Sequence, residues 1–258
     1  MRCAVVGHVE WVEFARVPRL PASGEIVHAE AVWDEPAGGG AVVASQLARL
    51  AGRCELFTAL GRDELGRAAE RRLAELGVDV HVQWGGETRR AWTHVEAGGE
   101  RTITVLGDKL LPHSPLPLSG YDLVFFVSGQ PDALRAARSA RFLAATVREL
   151  GTLRTAGVPL DLLVASANDP GERYDGSLAA QTVVITDGAR GGSANGVRYA
   201  AVPAETIVDT YGAGDSFAAA LAFGLARGDE LASAVALAAR AGAAVLGGQG
   251  PYTAQLHS

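Results

Sequence analysis

Short, unbroken apolar runs alternate along this chain with alanine- and leucine-rich stretches, and that alternation limits the fold more than any other feature. Ala4–Gly7, Cys54–Leu60, Val78–Val82, Leu123–Ser128, Phe142–Thr146, Leu160–Ala165 and Thr182–Thr186 have the length of strands. Several show no polar alternation, as strands covered on both faces do. Between them Gly40–Ala51, Asp63–Leu76, Pro131–Arg138, Thr210–Ala226 and Glu230–Leu246 read as helices. The last is nearly all alanine around Val235 and Leu237 and is expected to be buried. A β-α-β-α order predicts an α/β fold of three layers, a mainly parallel sheet with helices on both faces. With 258 residues and no repeat or low-complexity linker, the whole chain, 1–258, reads as one domain.

Two stretches, about 12–33 and 89–106, break the alternation. The first carries Pro18, Pro21 and Gly24 between β-like pieces. The second reads as a hairpin that turns at Ala97-Gly98-Gly99, with Trp92 and His94 alternating against Thr93 and Val95. Hairpins set into an α/β core often form a flap over a site; a surface hairpin of no function is the other reading.

The seven residues Asp209-Thr210-Tyr211-Gly212-Ala213-Gly214-Asp215 carry the chemistry. They put a glycine turn at the start of a helix, where backbone N–H groups lack internal partners and can bind an anion, usually phosphate. A carboxylate beside such a site repels phosphate. It is better explained as the group that receives or orients a proton on an attacking nucleophile. A lone Gly-x-Gly-Asp would be an ordinary capped turn.

The net charge of −6 makes nucleic acid an unexpected partner. No apolar run spans a bilayer and the N-terminus reads as a strand, so no membrane association and a cytoplasmic location are expected. Cys3 and Cys54 fall in core strands and read as buried free thiols. The only lysine is Lys109; the rest of the 23 basic residues are arginine, so no Gly-Lys-Ser/Thr loop exists. Phosphate must be handled by amides, arginines and a metal.

The full run Asp-Thr-x-Gly-Ala-Gly-Asp resembles the C-terminal signature of the ribokinase-like (PfkB) family of sugar and nucleoside kinases. The resemblance implies that Asp215 is the catalytic base and that Gly212, Ala213 and Gly214 form the anion hole. Thr186-Asp187-Gly188-Ala189-Arg190-Gly191-Gly192 is similar to the family's nucleotide loop, which implies that Thr186, Gly188, Arg190, Gly191 and Thr210 approach ATP. Gly38-Gly39-Gly40, leading into a helix, resembles the family's N-terminal signature on the substrate side. Two positions depart from it. Val12 stands where sugar kinases of the family place a sugar-binding Asp, and Val42 where they place an Asn. Glu10, and less so Glu13, offers a carboxylate to a polyol; together the valines imply a pocket less polar than that of ribokinase. Asp169 in Ser166-Ala167-Asn168-Asp169 matches the family's magnesium-ordering acid, with Thr146-Val147-Arg148-Glu149 as a rival placement. The family also implies that the two interruptions build a small β lid, with possible homodimerisation through it.

The expected activity is ATP- and Mg2+-dependent transfer of the γ-phosphate to a hydroxyl of a small sugar or sugar-like molecule. A nucleoside kinase of the same family is one alternative, and a non-catalytic nucleotide or metabolite sensor another. An oxidoreductase fits poorly, because His8-Val9-Glu10 stands where a dinucleotide-binding glycine loop would follow the first strand. Near a helix N-terminus Asp215 is expected to be a weak base, which a loose phosphoryl-transfer transition state tolerates.

Overall fold

The computed structural model describes all 258 residues. Its main sheet holds nine strands: β1 (Cys3–Val6), β4 (Cys54–Leu60), β5 (Val78–Trp84), β8 (Leu123–Phe126), β9 (Phe142–Thr146), β10 (Leu160–Ser166), β11 (Ala180–Thr186), β12 (Gly192–Ala194) and β13 (Val197–Tyr199). A second sheet of four is built from β2 (Glu10–Arg16), β3 (Ala31–Ala37), β6 (Arg90–Val95) and β7 (Arg101–Leu106). The helices are α1 (Gly39–Ala51), α2 (Glu64–Glu75), α3 (Pro131–Ala137), α4 (Leu150–Ala156), α5 (Ala213–Ala226) and α6 (Leu231–Val245).

β1 shows why the apolar runs are unbroken. Cys3 and Val5 enter one apolar cluster with residues of α1, α5 and α6; Ala4 and Val6 enter another with residues of α3 and α4. Side chains of a strand alternate between faces, so a run that is apolar throughout needs cover on both. α5 and α6 supply that cover at close range because they are rich in alanine. A Cβ added at Gly224 would stand 3.0 Å from the Cβ of Ala234. Both cysteines are free and buried.

The strand order is β13-β12-β11-β10-β9-β8-β1-β4-β5. All pairs are parallel except β11–β12 and β12–β13. From β1 the chain builds outward through β4 and β5, then returns to lay β8 on the other side of β1. The crevice at the carboxyl ends of β1 and β8 is therefore the switch point, where open α/β sheets bind ligands.

Every strand and helix read from the sequence is present, with shifted ends. α5 begins at Ala213, because Thr210–Gly212 form the turn that leads into it. The segment after β10 holds only a short turn of helix at Pro170–Glu172. α4 was not expected; its Gly151 and Thr152 weaken the helical signal. The β12–β13 hairpin was also missed, although Asn195 (φ 46) and Gly196 (φ 82) form the Asn-Gly turn that favours one.

In the second sheet β2 pairs antiparallel with β3 and parallel with β6, and β6 pairs antiparallel with β7. One face buries Val12, Phe14, Ala91 and Val95, while Trp92 on the other is half exposed. No helix is long and apolar enough to cross a membrane.

Candidate active site

Asp209 organises the loop before α5. It is fully buried and accepts hydrogen bonds from the amides of Tyr211 (2.9 Å) and Gly250 (3.0 Å), which ties the C-terminal loop to this one. Gly212 then turns the chain with φ 82, a value that side chains resist. The amides of Gly212, Gly214 and Asp215 have no backbone partner, and that of Ala213 makes one long contact of 3.5 Å to the Thr210 carbonyl. Unpartnered amides of this kind are what an anion-binding helix start requires, and Asp215 lies in the first helical turn.

Asp215 is not the weak base expected. Burial, and next the charge of Glu172, lift its pKa to about 6 against the opposing pull of Arg101 and Arg148. Desolvation outweighs the helix terminus.

The glycine turn before α1 meets this acid. A Cβ at Gly39 would stand 2.8 Å from Val127 Cγ1 and 3.2 Å from Asp215 Oδ1, so only glycine lets the two helix starts approach. Gly40 donates its amide to the His8 carbonyl at 3.2 Å. Beside Gly38, Glu10 is buried with Arg89 Nε 3.1 Å from its Oε2; burial raises the Glu10 pKa, while Arg89 and Lys109 oppose the rise. Glu13 points to the solvent face and pairs with Arg90.

Val12 and Val42 do not line a pocket. Both are fully buried in a cluster with Phe14, Tyr211 and Tyr252. The valines lie beneath the surface, and the polar side chains nearest Gly38 are those of His8 and Glu10.

Of the residues expected on the nucleotide side, Thr186, Gly188, Arg190 and Gly191 gather after β11 beside the end of β10, while Thr210 lies in the turn before α5. Thr186 Oγ1 donates to the Ala165 carbonyl (3.2 Å). Arg190 is held by Asp187 (2.5 Å) and by Asn168 Oδ1 (3.0 Å), and Gly188 lies against Asn168. Gly191, with φ 84, has no room for a Cβ beside the Tyr199 carbonyl. Asp169 accepts from the Gly171 amide (2.8 Å) and pairs with Arg148 (2.5 Å), which also pairs with Glu172 (3.0 Å). Burial pushes Asp169 up, but the Gly171 amide and Arg148 outweigh it and hold its pKa low. Glu149, the rival acid, is engaged by Lys109 at 2.6 Å.

The second sheet reaches over this region. Thr210 donates its amide and its hydroxyl to the Gly99 carbonyl, each at 3.0 Å, so the hairpin turn sits on the Asp209–Asp215 loop. Arg101 adds contacts to Thr210 at 3.3 Å, and Arg16 donates to the Val208 carbonyl at 3.0 Å.

A family model described as pfkB family carbohydrate kinase matches residues 1–126 and 126–257. The chain belongs to the pfkB family. Among curated pfkB relatives, an ATP-dependent ribose-1-phosphate kinase of Halopiger xanaduensis is 30% identical over 248 residues, covering 85% of this chain and 83% of its own. The ribokinase of Arabidopsis thaliana is 24% identical over 267 residues, covering 87% and 70%. The fold matches the structure of Arabidopsis ribokinase complexed with ribose and ATP, with a TM-score of 0.76, 20% identity and coverage of 99% and 96%. It also matches a Burkholderia thailandensis nucleoside kinase in complex with inosine, with a TM-score of 0.81, 17% identity and coverage of 99% and 93%. The chain is a carbohydrate kinase of this family, and its fold is the ribokinase-like α/β fold.

The sequence reading did not single out Arg89, Arg101, Arg148 or Glu172 as site residues and gave His8 no role. Each comes from a different segment of the chain, so no local spacing marks them. The one available signal was that a chain with a single lysine must use arginine near phosphate.

Proposed function

We propose that the protein transfers the γ-phosphate of ATP to a hydroxyl of a small sugar or sugar-like acceptor, with Asp215 as base. The observation that carries this is the junction of the two helix starts. The carboxylate of Asp215 faces Gly39, where an added Cβ would stand 3.2 Å from Oδ1, and shares its turn with the unpartnered amides of Gly212 and Gly214. The acceptor oxygen attacks the γ-phosphorus, the bond to the bridging oxygen breaks, ADP leaves, and the hydroxyl proton passes to Asp215. The amides stabilise the charge on the moving phosphoryl group.

Thr186, Gly188, Arg190, Gly191 and Thr210 hold the nucleotide in this reading, and Gly38–Gly40 and Glu10 hold the acceptor. The second sheet acts as the lid that excludes water. Its outward face, with Val32 74% and Trp92 50% exposed, is the surface a second copy would cover in a homodimer.

Magnesium fits the donors present. The ion favours one or two carboxylates together with phosphate oxygens and retained water. Asp169 and Glu172, bridged by Arg148, supply the carboxylates and need no three-residue cage. When bound there it would neutralise charge on the triphosphate.

The names of the relatives span ribose, ribose 1-phosphate and nucleosides, so they leave the acceptor's charge open. The test is magnesium-dependent ATP consumption against a panel of sugars, sugar phosphates and nucleosides. Turnover with one acceptor class supports the reading. Nucleotide binding without turnover across the panel favours a sensor.

A further inference from the structure

Tyr211 fills the open position of the Asp-Thr-x-Gly-Ala-Gly-Asp run, and its side chain lies where three parts of the molecule meet. The residue is 5% exposed. Its amide is donated to Asp209 Oδ1 at 2.9 Å, so its backbone belongs to the loop that leaves the amides of Gly212 and Gly214 unpartnered. Its hydroxyl accepts the amide of Gly38 at 3.2 Å, and that amide has no backbone partner. Its ring meets that of Phe14, in the second sheet, edge to face at 5.2 Å and 76°. Phe14 in turn stacks on Trp33 at 5.0 Å. The guanidinium of Arg101, the first residue of β7, stands 5.7 Å from the centre of the Tyr211 ring.

The two ends of this side chain do different things. The hydroxyl stays protonated, because burial first, and then the charge of Glu10, raise its pKa. A neutral hydroxyl fixes the Gly38 amide without adding charge beside Asp215. Gly38 (φ 86) starts the turn into α1, and Gly39 after it faces Asp215. The bond therefore sets the spacing between the acceptor turn and the phosphoryl loop, which lie 173 positions apart in the chain. The ring is an apolar seat. Aromatic pairs in this geometry attract beyond their burial, and a cation near the ring face adds to the attraction. Phe14 is in β2 and Arg101 in β7, so the second sheet rests on Tyr211 from two of its strands.

We propose that Tyr211 is a positioning residue with two separable functions: its hydroxyl holds the acceptor turn in register with the phosphoryl loop, and its ring is the seat on which the second sheet closes and excludes water. The proposal rests on the kinase reading above. When the seat is lost, water takes the acceptor's place. Its oxygen bonds to the γ-phosphorus, the bond to the bridging oxygen breaks, a proton passes to Asp215, and ADP and inorganic phosphate leave.

The experiment measures transfer to the acceptor, ATP hydrolysis without acceptor, and amide hydrogen exchange of the free protein by NMR. Tyr211→Phe removes the hydroxyl and keeps the seat. It should lower kcat about tenfold, with the KM for ATP changed less than about twofold and hydrolysis not raised. Its Gly38 amide should exchange about tenfold faster, while β2 and β6 keep their protection. Tyr211→Leu removes both functions. It should lower kcat about 100-fold, raise the ratio of hydrolysis to transfer about tenfold, and speed exchange across β2 and β6 as well. Phe14→Leu takes away the seat from the other side. It should raise the ratio and leave Gly38 protected, and combined with Tyr211→Leu it should add little to the ratio. Should Tyr211→Leu fail to fold, Tyr211→Phe and Phe14→Leu carry the same two arms. A wild-type kcat in Tyr211→Phe overturns the first function, and an unchanged ratio in Phe14→Leu overturns the second. If no acceptor supports turnover, the kinase reading fails while exchange still decides. Faster exchange at Gly38 in Tyr211→Phe, and in β2 and β6 only when the ring or Phe14 is changed, sustains the two links; unchanged exchange overturns them.

Discussion

Two helices in this molecule start with glycine turns, and the glycines serve opposite ends. At α5 they free donors: the amides of Gly212 and Gly214 are without backbone partners, Gly214 is exposed, and a Cβ there would meet nothing within 4 Å. At α1 they free space: Gly40 is bonded to His8, and Gly39 is wedged between Val127 and Asp215. One turn leaves amides without backbone partners and the other lets two elements of the fold approach. The same residue type in similar sequence contexts therefore predicts different consequences when a methyl group is added.

The largest effect is expected where the two turns meet. Asp215→Asn should lower kcat at least 10³-fold, because it removes the proton acceptor and leaves the shape. The same change should stabilise the fold. The Asp215 pKa is raised, so folding favours its protonated form, and that contribution is lost as pH climbs from the ordinary carboxylate range through about 6. Above pH 6 the variant should therefore be more stable than the wild type by about 1 kcal/mol in urea titrations, the figure allowing for the partial exposure of the group.

Gly39→Ala comes next. Its Cβ must displace Val127 or Asp215, so kcat should fall about 100-fold with the KM for ATP nearly unchanged, and stability should fall by about 1–3 kcal/mol. Gly214→Ala is the smallest and has the opposite sign in stability. An exposed helical position gains about 0.5–1 kcal/mol from alanine, while a methyl group over the free amides should raise the KM for ATP a few-fold. If the two variants behave alike in both readouts, the contrast between the turns is wrong.

The sequence made the sheet legible because burial on both faces demands unbroken apolar runs, and β1, β8 and β10 announce themselves in that way. The Asp209–Asp215 loop was legible because its residues act on one another locally, with Asp209 folding back on the amide of Tyr211. The surroundings of His8 were not. His8 and Ser128 are 120 positions apart and meet only because β1 and β8 are neighbours in the sheet. Val12 and Val42 were read against the family pattern, but their burial in a cluster with Tyr211 and Tyr252 depends on how the second sheet packs. The basicity of Asp215 was misjudged for a related reason. The local helix terminus is visible in sequence, whereas burial and the approach of Glu172 from another loop are not.

The most direct test of the central claim is the pH dependence of kcat/KM for the acceptor, at saturating magnesium and ATP, in the wild-type enzyme. If Asp215 is the base with the environment described, the logarithm of kcat/KM rises with unit slope on the acid side and levels off above about pH 6. A profile that stays flat down to pH 4.5, or one whose acid limb persists unchanged in the residual activity of Asp215→Asn, would contradict it.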